Sequence, residues 1–119
     1  MASEGLHESA ELLSPDTIDR HRAITSIMEE LAAVDWYDQR VAATGDADLG
    51  SVLAHNRDEE KEHAAMTLEW LRRRDAVLDG HLRTYLFTEA SIVGEEHAAE
   101  AGAAGDGSLG VGSLREEAS

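Results

Sequence analysis

The sequence predicts an all-α protein: an antiparallel two-helix hairpin followed by a short third helix, with two such hairpins pairing into a four-helix bundle. Three observations favour this fold class. Two long segments have apolar residues at helical spacing, and a short turn rich in glycine and aspartate separates them. A single hairpin buries only the seam between its helices, so its outer apolar stripe requires a second copy.

The start of the first helix is marked by several residues in a row. Ser14 is a good N-cap, and Pro15 suits the first helical position because its φ angle is already set. Asp16 and Asp19 follow near the positive end of the helix dipole. The helical pattern then continues to about Val41.

The next segments follow from turn chemistry and periodicity. Residues 43–48 contain Gly45 and two aspartates, which are typical of a helix stop followed by a helix cap. A second helix is predicted over about 48–74. A shorter amphipathic helix is predicted over about 76–87, packing across the hairpin.

The two ends of the chain differ in composition from its middle. Residues 1–13 show no sustained period and are predicted to be a flexible arm. Residues 91–119 hold six of the ten glycines and no aromatic residue, so they are predicted to be a disordered tail. The helical domain is therefore expected to span 14–90.

Composition excludes several classes of function. No apolar run is long enough to cross a membrane, and no secretory leader pattern opens the chain, so a cytoplasmic location is expected. The net charge of -15 disfavours nucleic acid and anionic lipid as partners and favours cations. Because the chain has no cysteine, a metal would be held by carboxylate, imidazole or water.

One constellation of polar residues falls on the predicted core face. Glu30 lies in the apolar stripe of the first helix, and Glu60 and His63 form a Glu-x-x-His motif in the stripe of the second. Glu30 and Glu60 are each 15 residues from Gly45, which places them side by side in an antiparallel hairpin. An unpaired carboxylate in an apolar seam is costly, and a divalent metal is one way to stabilise it.

Two interpretations of this constellation stay open on the residues alone. A symmetric dimer would bring four carboxylates and two imidazoles together, a ligand set suited to two irons. Alternatively, the same side chains form a polar layer or salt-bridge network that sets the register of the bundle. The motif itself is weak evidence, since Glu4 and His7 repeat it in the arm.

Other side chains have less specific interpretations. Met28 and Met66 are expected in the core because of their helical spacing. Trp36 and Tyr37 either pack in the core or shape an approach to a metal.

The hairpin and the third helix resemble the encapsulated ferritins, and the resemblance covers residues 6–89. It rests on the stretches 28–31, 34–37, 59–64, 66–73 and 83–89. The resemblance implies a ferritin-like four-helix bundle in which dimers assemble into a ring-shaped decamer. It also implies a ferroxidase centre at a subunit interface, where Fe(II) is oxidised by dioxygen.

The family's site residues can be carried onto matching positions of this chain. Glu30, Glu60 and His63 of both partners would hold two iron ions per dimer interface, with Tyr37 just outside them. The family also has an outer entry site near the position of Trp36, formed by the residue matching Glu29 and a second glutamate three positions later. That second position is Ala32 here, so metal binding by Glu29 is expected to be weakened.

The end of the chain resembles the peptide that loads such proteins into an encapsulin shell. Within residues 108–115, the anchors would be Leu109, Val111, Leu114 and Arg115. The resemblance thus implies an encapsulin nanocompartment as partner and location, and iron mineralisation inside it. The alternatives are a non-catalytic metal-binding protein and a structural oligomeric cargo protein.

Overall fold

The computed structural model describes residues 5–106, and the side chains of residues 5–102. This part of the chain contains four α-helices and a short 3-10 helix but no strand, which confirms the predicted all-α class. The α-helices are α1 (Pro15–Ala43), α2 (Ala47–Arg72), α3 (Ala76–Tyr85) and α4 (Ile92–Asp106), and the 3-10 helix is Ala10–Leu12. None of the described helices is long and apolar enough to cross a membrane.

The predicted N-caps lie at the starts of α1 and α2. The Ser14 hydroxyl accepts a hydrogen bond from the Thr17 backbone N–H at 3.1 Å, and Pro15 is the first residue of α1. After the three-residue connection 44–46, Asp46 Oδ1 accepts from the Leu49 N–H at 2.8 Å. Both contacts satisfy N–H groups that the first turn of a helix leaves without an intrahelical partner.

Helices α1 and α2 form the antiparallel hairpin that the sequence predicted. The short connection reverses the chain direction, and the Arg57 guanidinium of α2 donates to Asp38 of α1 at 3.0 Å. Both helices belong to a compact unit that ends at Leu71. The hairpin is therefore one structural unit on which residues of α1 and α2 can converge.

The hairpin has almost no core of its own. Among its described residues only Ala23, Ala64 and Leu71 are buried. Many large apolar side chains are exposed instead: Leu6, Leu12, Ile24, Met28, Leu31, Trp36, Leu49, Val52 and Met66. Met28 and Met66 are 44% and 66% exposed, so their prediction as core residues is wrong for the single chain. They lie on surfaces that two helices alone do not cover.

A second compact unit begins at Arg72 and contains α3 and α4, which contact each other. Asp75 caps α3 by accepting from the Leu78 N–H at 2.9 Å. Asp79 accepts hydrogen bonds from the guanidinium groups of Arg72 and Arg83. These two cations lower the pKa of the Asp79 carboxyl, with Arg72 contributing most. The start of α3 is thus held by charge-assisted hydrogen bonds.

Helix α4 contradicts the prediction of a disordered tail for the residues from 92 to 106. Five alanines between positions 98 and 104 favour a helix even without a continuous apolar face. The Ser91 hydroxyl also accepts from the Gly94 N–H at 3.2 Å near the helix start. The predicted shell-binding peptide at 108–115 lies outside the described residues, as does most of the rest of the predicted tail.

Candidate metal centre

The three predicted ligands converge on the facing sides of α1 and α2. Glu30 lies near the middle of α1, and Glu60 and His63 lie one turn apart near the middle of α2. His63 Nδ1 is 4.0 Å from Glu60 Oε2. Glu30 is close enough to both residues for their charges to shift its pKa. The hairpin therefore brings together the residues that the stripe pattern and Gly45 placed at one level.

Glu30 has the most perturbed environment of the three. Burial is the main reason that its pKa is raised, and the negative charges of Glu60 and Glu29 add to the rise. A positive charge on His63 acts in the opposite direction. Within the described part of the chain, Glu30 Oε2 is buried and has no hydrogen-bond partner. A buried acceptor without a partner costs roughly 1–3 kcal/mol, which a bound cation would offset.

The donor chemistry of this group suits a first-row divalent metal. Carboxylate oxygens and an imidazole nitrogen are ligands that iron accepts, and thiolates are absent from the chain. One hairpin supplies two carboxylates and one imidazole. This is half of the four-carboxylate, two-histidine set that holds two irons in helical bundles.

A second group of metal-ligand residues lies on the exposed side of α2. Glu59, Glu62 and His63 each offer a ligand atom within 4.8 Å of the others, and all three are exposed. Glu59 also approaches His55, with His55 Nε2 at 3.5 Å from Glu59 Oε1. Sequence reasoning did not single out Glu59 or Glu62. The position of Glu59, three residues before Glu62 and four before His63, was the signal that could have found them.

The single His63 side chain contributes to both groups. Its Nδ1 faces Glu60 and its Nε2 is 4.0 Å from Glu59 Oε2. The side chains of Glu60 and Glu59 are 28% and 46% exposed, respectively. We call Glu30, Glu60 and His63 the seam group, and Glu59, Glu62 and His63 the outer group.

The remaining predicted site residues lie on the same helix as Glu30. Glu29 is exposed and its charge reaches Glu30. Trp36 is 51% exposed, so packing in a core of the single chain does not account for it. Tyr37 is half-buried, and the Arg40 guanidinium lies 5.4 Å from its ring centroid. The roles of Glu29, Trp36 and Tyr37 in a metal site stay predictions.

Known proteins resemble both the sequence and the fold. The model of the EncFtn-like family matches residues 5–89. The "Encapsulated ferritin-like protein" of Rhodospirillum rubrum is 60% identical, over 98% of this chain and 92% of that protein. The "Ferritin-like protein" of Thermotoga maritima is 47% identical, over 91% of this chain and 96% of that protein.

Two further similarities concern a structure and a partial match. The crystal structure of protein ne0167 from Nitrosomonas europaea has a TM-score of 0.72 and 58% identity, covering 74% of this chain and 97% of that one. The "Encapsulin nanocompartment cargo protein EncC" of Myxococcus xanthus is 36% identical over 49% of this chain and 45% of that protein. The family match spans the hairpin, the seam group and α3. The chain therefore belongs to the EncFtn-like family.

Proposed function

We propose that this protein is a ferroxidase that oxidises Fe(II) to Fe(III) with dioxygen at a di-iron centre formed across a subunit interface. The observation that carries this proposal is Glu30, whose buried oxygen has no hydrogen-bond partner among the described residues although Glu60 and His63 lie beside it. The names of the Rhodospirillum rubrum and Thermotoga maritima relatives, which describe ferritin-like proteins, support an iron-related function.

Two features of the hairpin support a centre shared by two copies. A single chain offers three ligand side chains in the seam group, which is too few for two metal ions. The exposed apolar residues of α1 and α2 also need a covering surface. A two-fold pairing of hairpins would meet both needs by doubling the ligand set and burying apolar side chains. Assembly of such dimers into a ring-shaped decamer is part of the proposal.

The residues of the seam group have distinct tasks in this reaction. The pKa of Glu30 is raised because its surroundings disfavour the negative charge of the carboxylate. A bound cation would take the place of the proton and stabilise that charge. Glu60 and His63, held one turn apart on a rigid helix, set the position of the incoming ferrous ion. Each ferrous ion loses one electron to dioxygen, and the carboxylates stabilise the more highly charged ferric product.

We also propose that the protein works inside an encapsulin nanocompartment, where the shell would receive Fe(III) for mineralisation. The names of the Rhodospirillum rubrum and Myxococcus xanthus relatives support this location. The anchors would be Leu109, Val111, Leu114 and Arg115. Deleting residues 108–115 is expected to abolish co-purification with co-expressed shell protein while leaving ferrous oxidation intact. Co-purification of the truncated chain would contradict this assignment.

The enzyme assignment is tested by ferrous oxidation with a matched histidine control. The rise in ferric absorbance and the uptake of dioxygen are measured after aerobic addition of Fe(II) to the parent, His63→Ala and His97→Ala. His97 is an exposed histidine of α4 outside both metal groups. The expected result is that only His63→Ala falls to the rate of spontaneous oxidation. Equal background rates in all three proteins would overturn the ferroxidase proposal.

A metal buffer is the second candidate, because the exposed outer group offers a cation site without the burial that a reaction centre needs. This function predicts stoichiometric Fe(II) binding without dioxygen uptake. A purely structural cargo protein predicts normal assembly and no binding. Anaerobic titration followed by exposure to air separates all three functions.

A further inference from the structure

Arg57 connects the two helices of the hairpin. Its Nη1 donates to Asp38 Oδ1 of α1 at 3.0 Å, and its Nε donates to Asp58 Oδ1 of α2 at 3.1 Å. The Arg57 side chain is only 21% exposed, whereas that of Asp38 is 67% exposed. The aliphatic stem is thus covered while the guanidinium reaches across the seam.

The guanidinium is held in place by more than one contact. Asp58 also pairs with Lys61, whose Nζ is 3.3 Å from Asp58 Oδ1. The hydrogen bond from Arg57 is the main reason that the pKa of Asp58 is lowered, and the bonds from Asp58 and Asp38 raise the pKa of Arg57. A planar guanidinium with two carboxylate partners is more restricted in direction than a lysine ammonium would be.

The apolar part of the seam does little to fix how far one helix slides along the other. Of its three buried residues, Ala23 and Ala64 are small, and the larger Leu71 lies at the far end of α2. Small side chains leave shallow ridges and grooves, so they define the register weakly. A slide by one residue moves a helix about 1.5 Å along its axis. Misplacement by about 1 Å can reduce catalysis roughly 100-fold.

We propose that Arg57 is a positioning residue: its bond to Asp38 fixes the register of α2 against α1, and so holds Glu60 and His63 beside Glu30. Arg57 is one turn from Glu60 on the same helix, so a shift at Arg57 is transmitted directly to the ligands. This role rests on the proposed function, because it concerns the geometry of the same metal centre.

A purely electrostatic role for Arg57 makes the opposite prediction for one variant. A guanidinium near the seam group would repel ferrous ions, and Asp38 would attract them. Loss of Arg57 would then strengthen metal binding, and loss of Asp38 would weaken it. If Arg57 instead fixes the register, Arg57→Gln and Asp38→Asn should both lower the rate of ferrous oxidation, because both break the same bond.

The experiment compares these two variants with a matched pair on one helix. Arg22 pairs with Asp19 at 2.8 Å within α1, and both are exposed, so Arg22→Gln and Asp19→Asn change the same charges without breaking an ion pair between the two helices. The readouts are kcat and KM for ferrous oxidation, the visible absorption of bound Co²⁺, and the thermal unfolding temperature. Each of the two ion pairs has at least one well exposed carboxylate, and such pairs contribute little stability, so all four variants are expected to fold.

The expected result is a fall in kcat of about tenfold in both Arg57→Gln and Asp38→Asn, with an altered Co²⁺ absorption band in each. KM and the unfolding temperature are expected to change little. Arg57→Lys should recover only part of kcat, because a lysine ammonium cannot donate to two carboxylates in the fixed planar arrangement of a guanidinium. The register role would be overturned if kcat rose in one variant and fell in the other. It would also be overturned if kcat and the Co²⁺ band matched those of Arg22→Gln and Asp19→Asn.

The two proposals fail in different ways. A parent protein that shows a Co²⁺ band but no ferrous oxidation overturns the ferroxidase function, while the band shape in the variants still decides the register role. A parent that oxidises Fe(II) normally, with unchanged rates and bands in Arg57→Gln and Asp38→Asn, overturns the register role alone.

Discussion

The two faces of α2 around His63 carry similar ligand types in different surroundings. On the seam side, Glu60 is half-buried, and Glu30 has a buried oxygen with no hydrogen-bond partner in the part of the chain that the structure describes. On the outer side, Glu59 and Glu62 are exposed. Water already solvates the outer carboxylates, so a cation gains less there. The comparison teaches that burial, and not ligand identity, separates a candidate reaction centre from a weak surface site.

The ligand atoms of the outer group already lie within 4.8 Å of one another in a single chain. Its three side chains come from one helix, where Glu59 is three positions before Glu62 and four before His63, so a single chain completes it. The seam group combines α1 and α2, and the proposed di-iron centre would also need the donors of a second copy. A group that a single chain completes need not be the one that the assembled protein uses.

The strongest test of this comparison removes one carboxylate from the seam group and one from the outer group. Glu30→Ala is expected to reduce ferrous oxidation by about 100-fold or more, since it deletes a ligand rather than a supporting contact. Glu62→Ala is expected to leave the rate within about threefold of the parent, because its carboxylate is exposed to solvent. The measurement is the initial rate of ferric absorbance growth at fixed protein concentration, corrected for spontaneous oxidation.

The reverse ranking of these variants would assign the chemistry to the outer group. In that case Glu59→Ala should abolish oxidation as well, and Glu60→Ala should not. Equal and small effects from all four substitutions would remove both groups from the reaction.

A second prediction concerns the second copy that the proposed di-iron centre would require. Met28→Lys places a charge on an apolar surface of α1 that is exposed in the single hairpin. It is expected to weaken dimer formation and to lower ferrous oxidation about tenfold at low protein concentration, with recovery as the concentration rises. Sedimentation velocity and oxidation rates are measured over the same concentration series.

The matched control is Ser51→Lys, which adds the same charge at an exposed polar position of α2. It is expected to leave both assembly and rate unchanged. If Met28→Lys loses activity equally at every concentration, the centre does not depend on assembly through this surface.

The parts of the fold that depend on local chemistry were predictable from the sequence. Ser14 and Pro15 marked the start of α1, and the turn at 44–46 followed from glycine and aspartate. The seam group was also predictable, because helical phase and equal distance from Gly45 both placed Glu30 beside Glu60. Each of these features is set by residues within a few turns of each other.

The wrong predictions concern burial and helix formation at positions where neighbouring residues in the sequence do not determine the structure. Met28 and Met66 have the spacing of core residues, but whether they are covered depends on a partner that one sequence does not show. Helix α4 was not predicted because residues 91–119 are rich in glycine and have no aromatic residue, although the alanines at 98–104 favour a helix. Glu59 and Glu62 were not predicted as ligands, because neither lies in the apolar stripe of α2.

The smallest predicted effect tests whether the seam group is destabilised without a metal. Burial raises the pKa of Glu30 in the folded protein above its ordinary value, so the folded state binds a proton more tightly than the unfolded state. The free energy of unfolding of the metal-free protein should then fall as pH rises from the ordinary glutamate pKa through the raised one. Glu30→Gln, which stays neutral, should lose this pH dependence.

At neutral pH, metal-free Glu30→Gln is therefore expected to unfold at a temperature a few degrees higher than the parent, because the substitution removes a charge from a partly buried site. Glu62→Gln is the control and should not change the unfolding temperature, since its carboxylate is exposed. Saturating Co²⁺ should reverse the order by stabilising the parent alone. If Glu30→Gln lowers the metal-free unfolding temperature, the Glu30 carboxylate is satisfied by protein contacts, and burial no longer distinguishes the seam group from the outer group.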